Sequence, residues 1–157
     1  MKRHGLLKIM CGLLLAIGVS AGLTSCGSDD WWWDGPPSGW VNTINDSRLN
    51  GYWRLYQYNG ELVYPGEENY LYFNGDGFGL YYYWDNGMRY TEQIRYYCQP
   101  SVSGSSNYQI NIQYEYGNPA TENYWFPSGP NRLWMQWQTG SGRVVTYVYE
   151  RIGGAPW

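Results

Sequence analysis

Histidine and lysine, the usual proton carriers and nucleophile activators, occur only at His4, Lys2 and Lys8; beyond them the acid–base inventory is carboxylates, tyrosines, arginines and cysteines. Without a histidine in the body of the chain, neither a Ser-His-Asp nor a Cys-His arrangement can be assembled. Cys98 lacks the base that would make it a nucleophile and reads as a small buried hydrophobe. A glycosidase needs only two carboxylates about 5–9.5 Å apart, which makes it the one catalytic class compatible with this inventory. Spacing singles out no acid pair, because Glu67-Glu68 is a loop dipeptide and the other acids are scattered. The expectation is a protein with no catalytic role. Asn74-Gly75-Asp76-Gly77 and Asp85-Asn86-Gly87 lack the ligand series of a calcium loop and read as turns, so neither a metal nor a cofactor is expected.

The first residues concern location. Lys2, Arg3, His4 and Lys8 precede a 15-residue apolar run, Ile9 to Leu23, and small residues lead to Cys26. Such a run is short of the roughly 20 residues a spanning helix needs and reads as an export signal. Leu23-Thr24-Ser25-Cys26 resembles the lipobox of bacterial lipoproteins, in which the cysteine is diacylated and becomes the first residue after cleavage. The resemblance implies a signal peptide over 1–25, lipidation of Cys26 with fatty acids such as palmitate, and a soluble body tethered to a membrane, each buried CH₂ contributing about 0.8 kcal/mol. An ordinary signal peptide cut near Ala21 or Ser25 is the alternative. Ser28-Asp29-Asp30 behind the cysteine resembles the surface-export signal of Bacteroidetes-type lipoproteins. Outer membrane, on the periplasmic face or at the cell surface, is the expected location.

Cleavage at Cys26 leaves 132 residues with seven arginines against thirteen acids, a net charge of −6. Nucleic acid is a poor partner for such a surface, because its affinity comes largely from basic residues neutralising phosphates. Cys98 is then the only free cysteine, so a disulfide scaffold is excluded.

Residues 26–47, with Trp31-Trp32-Trp33 and Pro36-Pro37, read as a flexible acidic linker, 48–152 as one domain and 153–157 as a tail. Short aromatic and β-branched runs separated by glycine, asparagine and aspartate predict an all-β domain. Strands are expected at 51–58, 61–64, 69–73, 78–84, 88–98, 108–116, 122–126, 132–138 and 143–151. Eight or nine strands joined by tight turns such as Asn59-Gly60 make an antiparallel up-and-down meander, and closing it into a barrel removes the exposed edges. An eight-stranded interior is just wide enough to be packed or to hold one small ligand. Matching apolar side chains favours a three-residue loop at Asp85-Asn86-Gly87, setting Trp84 against Met88, Tyr82 against Tyr90, Leu80 against Glu92 and Phe78 against Ile94. A two-residue loop instead sets Trp84 and Tyr82 against Arg89 and Thr91. Over 108–116, Tyr108, Ile110, Ile112, Tyr114 and Tyr116 share one face; Gln109, Asn111, Gln113 and Glu115 form the other, which is expected to meet water.

Gly51-Tyr52-Trp53 at the first strand and Arg151 at the last resemble the lipocalin and lipocalin-like pattern, over roughly residues 49–152. The resemblance implies a barrel whose closed end is plugged by Trp53, with Arg151 across its ring, a contact worth about 0.5–2 kcal/mol. The chain departs from the pattern in being short and in lacking the packed outer helix and the disulfide.

Thirty-one aromatic residues exceed what one core of this size absorbs, so some rings must lie outside. Tyr81, Tyr83 and Trp134 are the candidates for stacking on glycan from the outer face. Tyr82, Tyr90, Glu92 and Trp137 are the candidates for an interior ligand site, with Arg143 as the expected partner of Glu92, since a buried carboxylate is costly unless paired. The leading expectation is a lipid-anchored binding protein of the cell envelope holding a small apolar or amphipathic ligand. A surface glycan-binding or adhesive module is the alternative, and an accessory subunit of an envelope complex, with a protein partner, the third.

Overall fold

A computed structural model describes residues 35–40, 43–100 and 108–157; the expected signal peptide, Cys26 and most of the linker lie outside them. The described residues form β1 (Gly51–Tyr58), β2 (Glu61–Leu62), β3 (Tyr70–Phe73), β4 (Phe78–Asp85), β5 (Met88–Pro100), β6 (Tyr108–Tyr114), β7 (Ala120–Trp125), β8 (Arg132–Gln138) and β9 (Val144–Ile152), with no helix among them. No helix of the described residues is long and apolar enough to cross a membrane.

All nine strands belong to one antiparallel sheet in the order β2-β1-β3-β4-β5-β6-β7-β8-β9, and β9 returns to pair with β1. The result is a closed eight-stranded up-and-down barrel, lipocalin-like in form, with β2 as an extra short strand. β1 is shared along its length: Gly51 to Arg54 pair with β3, and Gln57 and Tyr58 with β2. A bulge between Leu55 and Gln57 in the β1–β9 ladder adds the coiling that closure requires.

Turn chemistry fixes the β4–β5 register. Asn86 and Gly87 both have positive φ, 50° and 78°, the two-residue type I′ loop whose twist matches its strands. Asp85 therefore pairs with Met88, Trp84 with Arg89, Tyr83 with Tyr90, Tyr82 with Thr91 and Tyr81 with Glu92. This overturns the expected three-residue loop. A one-residue slip exchanges the faces of a strand, so β4 is turned over relative to expectation.

One end of the barrel is packed solid. Trp53, Phe73, Cys98, Tyr124 and Leu133 have no exposed surface, and Leu49 caps them from the segment before β1. Arg151, paired with Trp53 across β1–β9, lies with its guanidinium carbon 4.3 Å from the indole centroid. It donates to the carbonyls of Pro130 (3.1 Å), Arg48 (2.6 Å) and Asn50, while Trp53 Nε1 donates to the Leu49 carbonyl at 2.6 Å. Gly51 is required beside them: its φ is +115°, and a Cβ there would stand 2.9 Å from Arg151 Nη1.

Part of the stretch expected as linker is docked on this end. Ile44 bridges to Cys98 in β5, beyond where β4 stops. Asp46 is buried, held by Arg48 (2.8 and 2.6 Å) and the Tyr124 hydroxyl (2.9 Å). Burial opposes ionisation of this carboxyl, but those hydrogen bonds hold it below its ordinary pKa. Cys98 is buried as expected, its thiol pushed up to about 12 by desolvation.

Candidate functional site

Strand alternation decides which side chains enter the barrel. On β5 the inward set is Tyr90, Glu92, Ile94, Tyr96 and Cys98, and pairing then turns Tyr81 and Tyr83 of β4 inward. Contacts across strands that are not neighbours agree: the Tyr81 and Tyr114 rings meet edge to face at 5.4 Å although β5 separates them. Tyr81, Tyr83 and Tyr90 form a ladder of stacked rings, with centroids 5.1 and 5.3 Å apart. Tyr58, Tyr147 and Tyr149 make a second ladder on β1 and β9, at 5.4 and 6.5 Å.

These rings line the half of the barrel away from Trp53. Tyr58, Tyr81, Tyr83, Tyr90, Tyr114, Trp137 and Tyr147 all keep some exposure although their register turns them inward, in contrast to the fully buried layer around Trp53. The interior is therefore less tightly enclosed in this half than around Trp53. At the same end lie exposed Leu62, Tyr64, Met88, Tyr116 and Val144, together with exposed Glu61, Arg89 and Arg143.

Two carboxylates belong to this interior. Glu92 is 7 % exposed and accepts from the Tyr116 amide at 3.3 Å; burial raises its pKa, this hydrogen bond partly offsets the rise, and nearby Glu115 adds to it. Glu122, on β7 opposite Ile110 of β6, was not among the expected site residues. Its Oε2 is shut away from solvent without a hydrogen-bond partner, and desolvation pushes its carboxyl up to about 7. Burial, and then the proximity of Glu122, raise the phenols of Tyr114, Tyr147 and Tyr149.

Of the interior candidates, Tyr90, Glu92 and Trp137 point inward, but Tyr82 does not. It sits on the outer face among Tyr52, 6.5 Å away, and Trp157, 5.5 Å away. Tyr81 and Tyr83, expected outside as stacking platforms, are inside. Arg143 is not the partner of Glu92: it lines a groove on the barrel's outer wall. That groove, about 430 Å³, also involves Gln57, Asn59, Trp134, Thr146 and Val148, and Trp134 is the one expected stacking candidate that faces outward.

The outer face of β6 also departs from expectation. Asn111 is buried, donating to Thr121 Oγ1 at 2.9 Å, and Gln113 donates to the Gly35 carbonyl at 2.9 Å, so residues ahead of the barrel cross this face. Tyr116 and Glu115 lie beyond the end of β6, with Tyr116 exposed.

Fold and site together define the class: a closed antiparallel barrel packed solid at one end, with tyrosines turned inward in the other half. Comparison of the chain with protein-family models, with curated proteins and with solved structures finds no match.

Proposed function

We propose that this chain is a noncatalytic, lipid-anchored binding protein of the bacterial cell envelope, tethered through Cys26 and holding a small amphipathic ligand in the open half of its barrel. The observation that carries the binding part is the set of inward tyrosine rings that solvent still reaches, above a sealed floor. Tyrosine suits an amphipathic guest, since each ring offers an apolar face and a polar edge. The exposed Leu62, Tyr64, Met88 and Tyr116 would offer apolar contact to a guest arriving from a membrane or carrier. Anchoring and the outer-membrane location rest on the lipobox resemblance alone.

Mass spectrometry of small molecules that co-purify with the chain tests binding: a stoichiometric amphipathic compound is expected, and an interior that captures none from lipid extract counts against it. Metabolic labelling with palmitate tests the tether, with label expected on the chain and lost in Cys26→Ala. Label retained in that variant contradicts anchoring at this residue.

Glycan binding at the outer wall is the second reading, favoured by Trp134 beside the hydrogen-bonding side chains of Gln57, Asn59 and Thr146 in one groove. A glycan array on wild type and Trp134→Ala decides it; a response from neither speaks against the groove.

A further inference from the structure

The barrel interior holds an acid that the fold itself does not pair. Glu122 enters from β7, and its Oε2 has no hydrogen-bond partner. Desolvation alone accounts for the shift of its carboxyl, with no basic neighbour opposing it. The arginines lie elsewhere: Arg54 and Arg132 with Glu150, Arg48 with Asp46, Arg151 on Trp53 at the sealed end, Arg95 over Phe78 and Tyr97, and Arg143 on the outer-wall groove. Arg89 lies over Trp84 and Trp157 on the outer face.

The groups within electrostatic reach of Glu122 are Tyr114 of β6 and Tyr147 and Tyr149 of β9. Tyr81 of β4 and Glu92 of β5 join them through Tyr114. The interior thus has electron-rich ring faces, a second acid and a buried carboxyl oxygen in want of a donor. Ring faces attract cations, most strongly where water is excluded, and a carboxylate supplies the counter-charge. A neutral or anionic guest would leave an ionised Glu122 without a counter-charge.

On these grounds we infer that the barrel's ligand is an organic cation, an amine or quaternary ammonium group on a small amphipathic body, with the tyrosine rings around it and Glu122 as its counter-ion. The inference rests on the reading of the barrel as a container and adds the charge of the guest. It also ties binding to proton release: Glu122 must ionise to pair with the cation, so affinity rises with pH through about 7 and levels off above, the surrounding phenols staying protonated throughout.

The test is calorimetric titration of the full chain, purified in a neutral maltoside detergent, with choline, with its uncharged isostere dimethylbutanol, and with octanol. Choline is expected to bind at least about tenfold more tightly than the isostere, more tightly at pH 8 than at pH 6, and Glu122→Gln to remove both the preference and the pH dependence. Equal binding of choline and its isostere, or a preference that survives in a folded Glu122→Gln, overturns the cation assignment. Octanol binding without choline binding overturns it too, leaving the container reading intact. If no probe enters, both readings fail. The melting curve of Glu122→Gln establishes that the variant is folded.

Discussion

Trp53 and Glu122 both face the barrel interior, and their energetics run in opposite directions. Trp53 is fully buried, hydrogen-bonded through its indole nitrogen and covered by a guanidinium. Trp53→Ala is expected to lower stability by about 3–5 kcal/mol, the loss for a large core aromatic, measured as a shift in the urea midpoint. Glu122 is a cost to the fold. Its pKa in the folded state is raised to about 7 from an ordinary 4.5, so its contribution is fully favourable below the unfolded value and is lost as pH rises through the folded one. Glu122→Gln should accordingly stabilise the ligand-free protein by up to about 3 kcal/mol above pH 7 and by little at pH 4. Denaturant unfolding at the two pH values checks this; an equal change at both contradicts the burial of the carboxyl.

Among the elements, β1, β6, β8 and the positions of the turns were legible, but the length of the β4–β5 turn and with it the facing of β4 were not. Glycine and asparagine at Asn59-Gly60 and Asn74-Gly75-Asp76-Gly77 mark strand ends because few residues accept those backbone angles, and the expected β1 and β8 coincide with the observed strands. β6 alternates apolar and amide residues, so its inner face follows from period two. In β4, Tyr81-Tyr82-Tyr83-Trp84 carries aromatic residues on both faces, and hydrophobicity cannot distinguish the registers. The two-residue turn at Asn86-Gly87 decides instead, against the apolar matching that favoured the longer loop. Glu122 escaped for a related reason: Thr121-Glu122-Asn123 is polar throughout, and only the period-two step back from Tyr124 reveals its facing.

The aromatic residues displaced outward have their own cover. Trp157 lies against Tyr70, Tyr82 and Trp84, with centroids 5.5–5.7 Å apart, and donates to Thr91 Oγ1 at 3.3 Å. Trp157→Ala should leave the barrel closed and cost about 1–2 kcal/mol, read from the thermal midpoint. An unaltered midpoint indicates that the 153–157 segment is not held there in solution.

Across the whole molecule, the closure of β9 on β1 makes a barrel packed solid around Trp53, and the proposed function depends on the other half admitting a guest. The Trp53–Arg151 contact implied by the lipocalin-like resemblance is present at the sealed end, where close packing leaves no room for a guest. The facing of the interior could not be read from composition, since aromatic residues fall on both faces of the strands; register shows which tyrosines turn inward. The most direct measurement is intermolecular nuclear Overhauser transfer between a small amphipathic probe and the aromatic protons of the labelled chain. Transfer to Tyr81, Tyr114 and Tyr147, with none to Trp53 or Phe73, is the predicted result. Transfer confined to outer rings such as Tyr82 and Trp134, or none to any interior ring, would contradict the account.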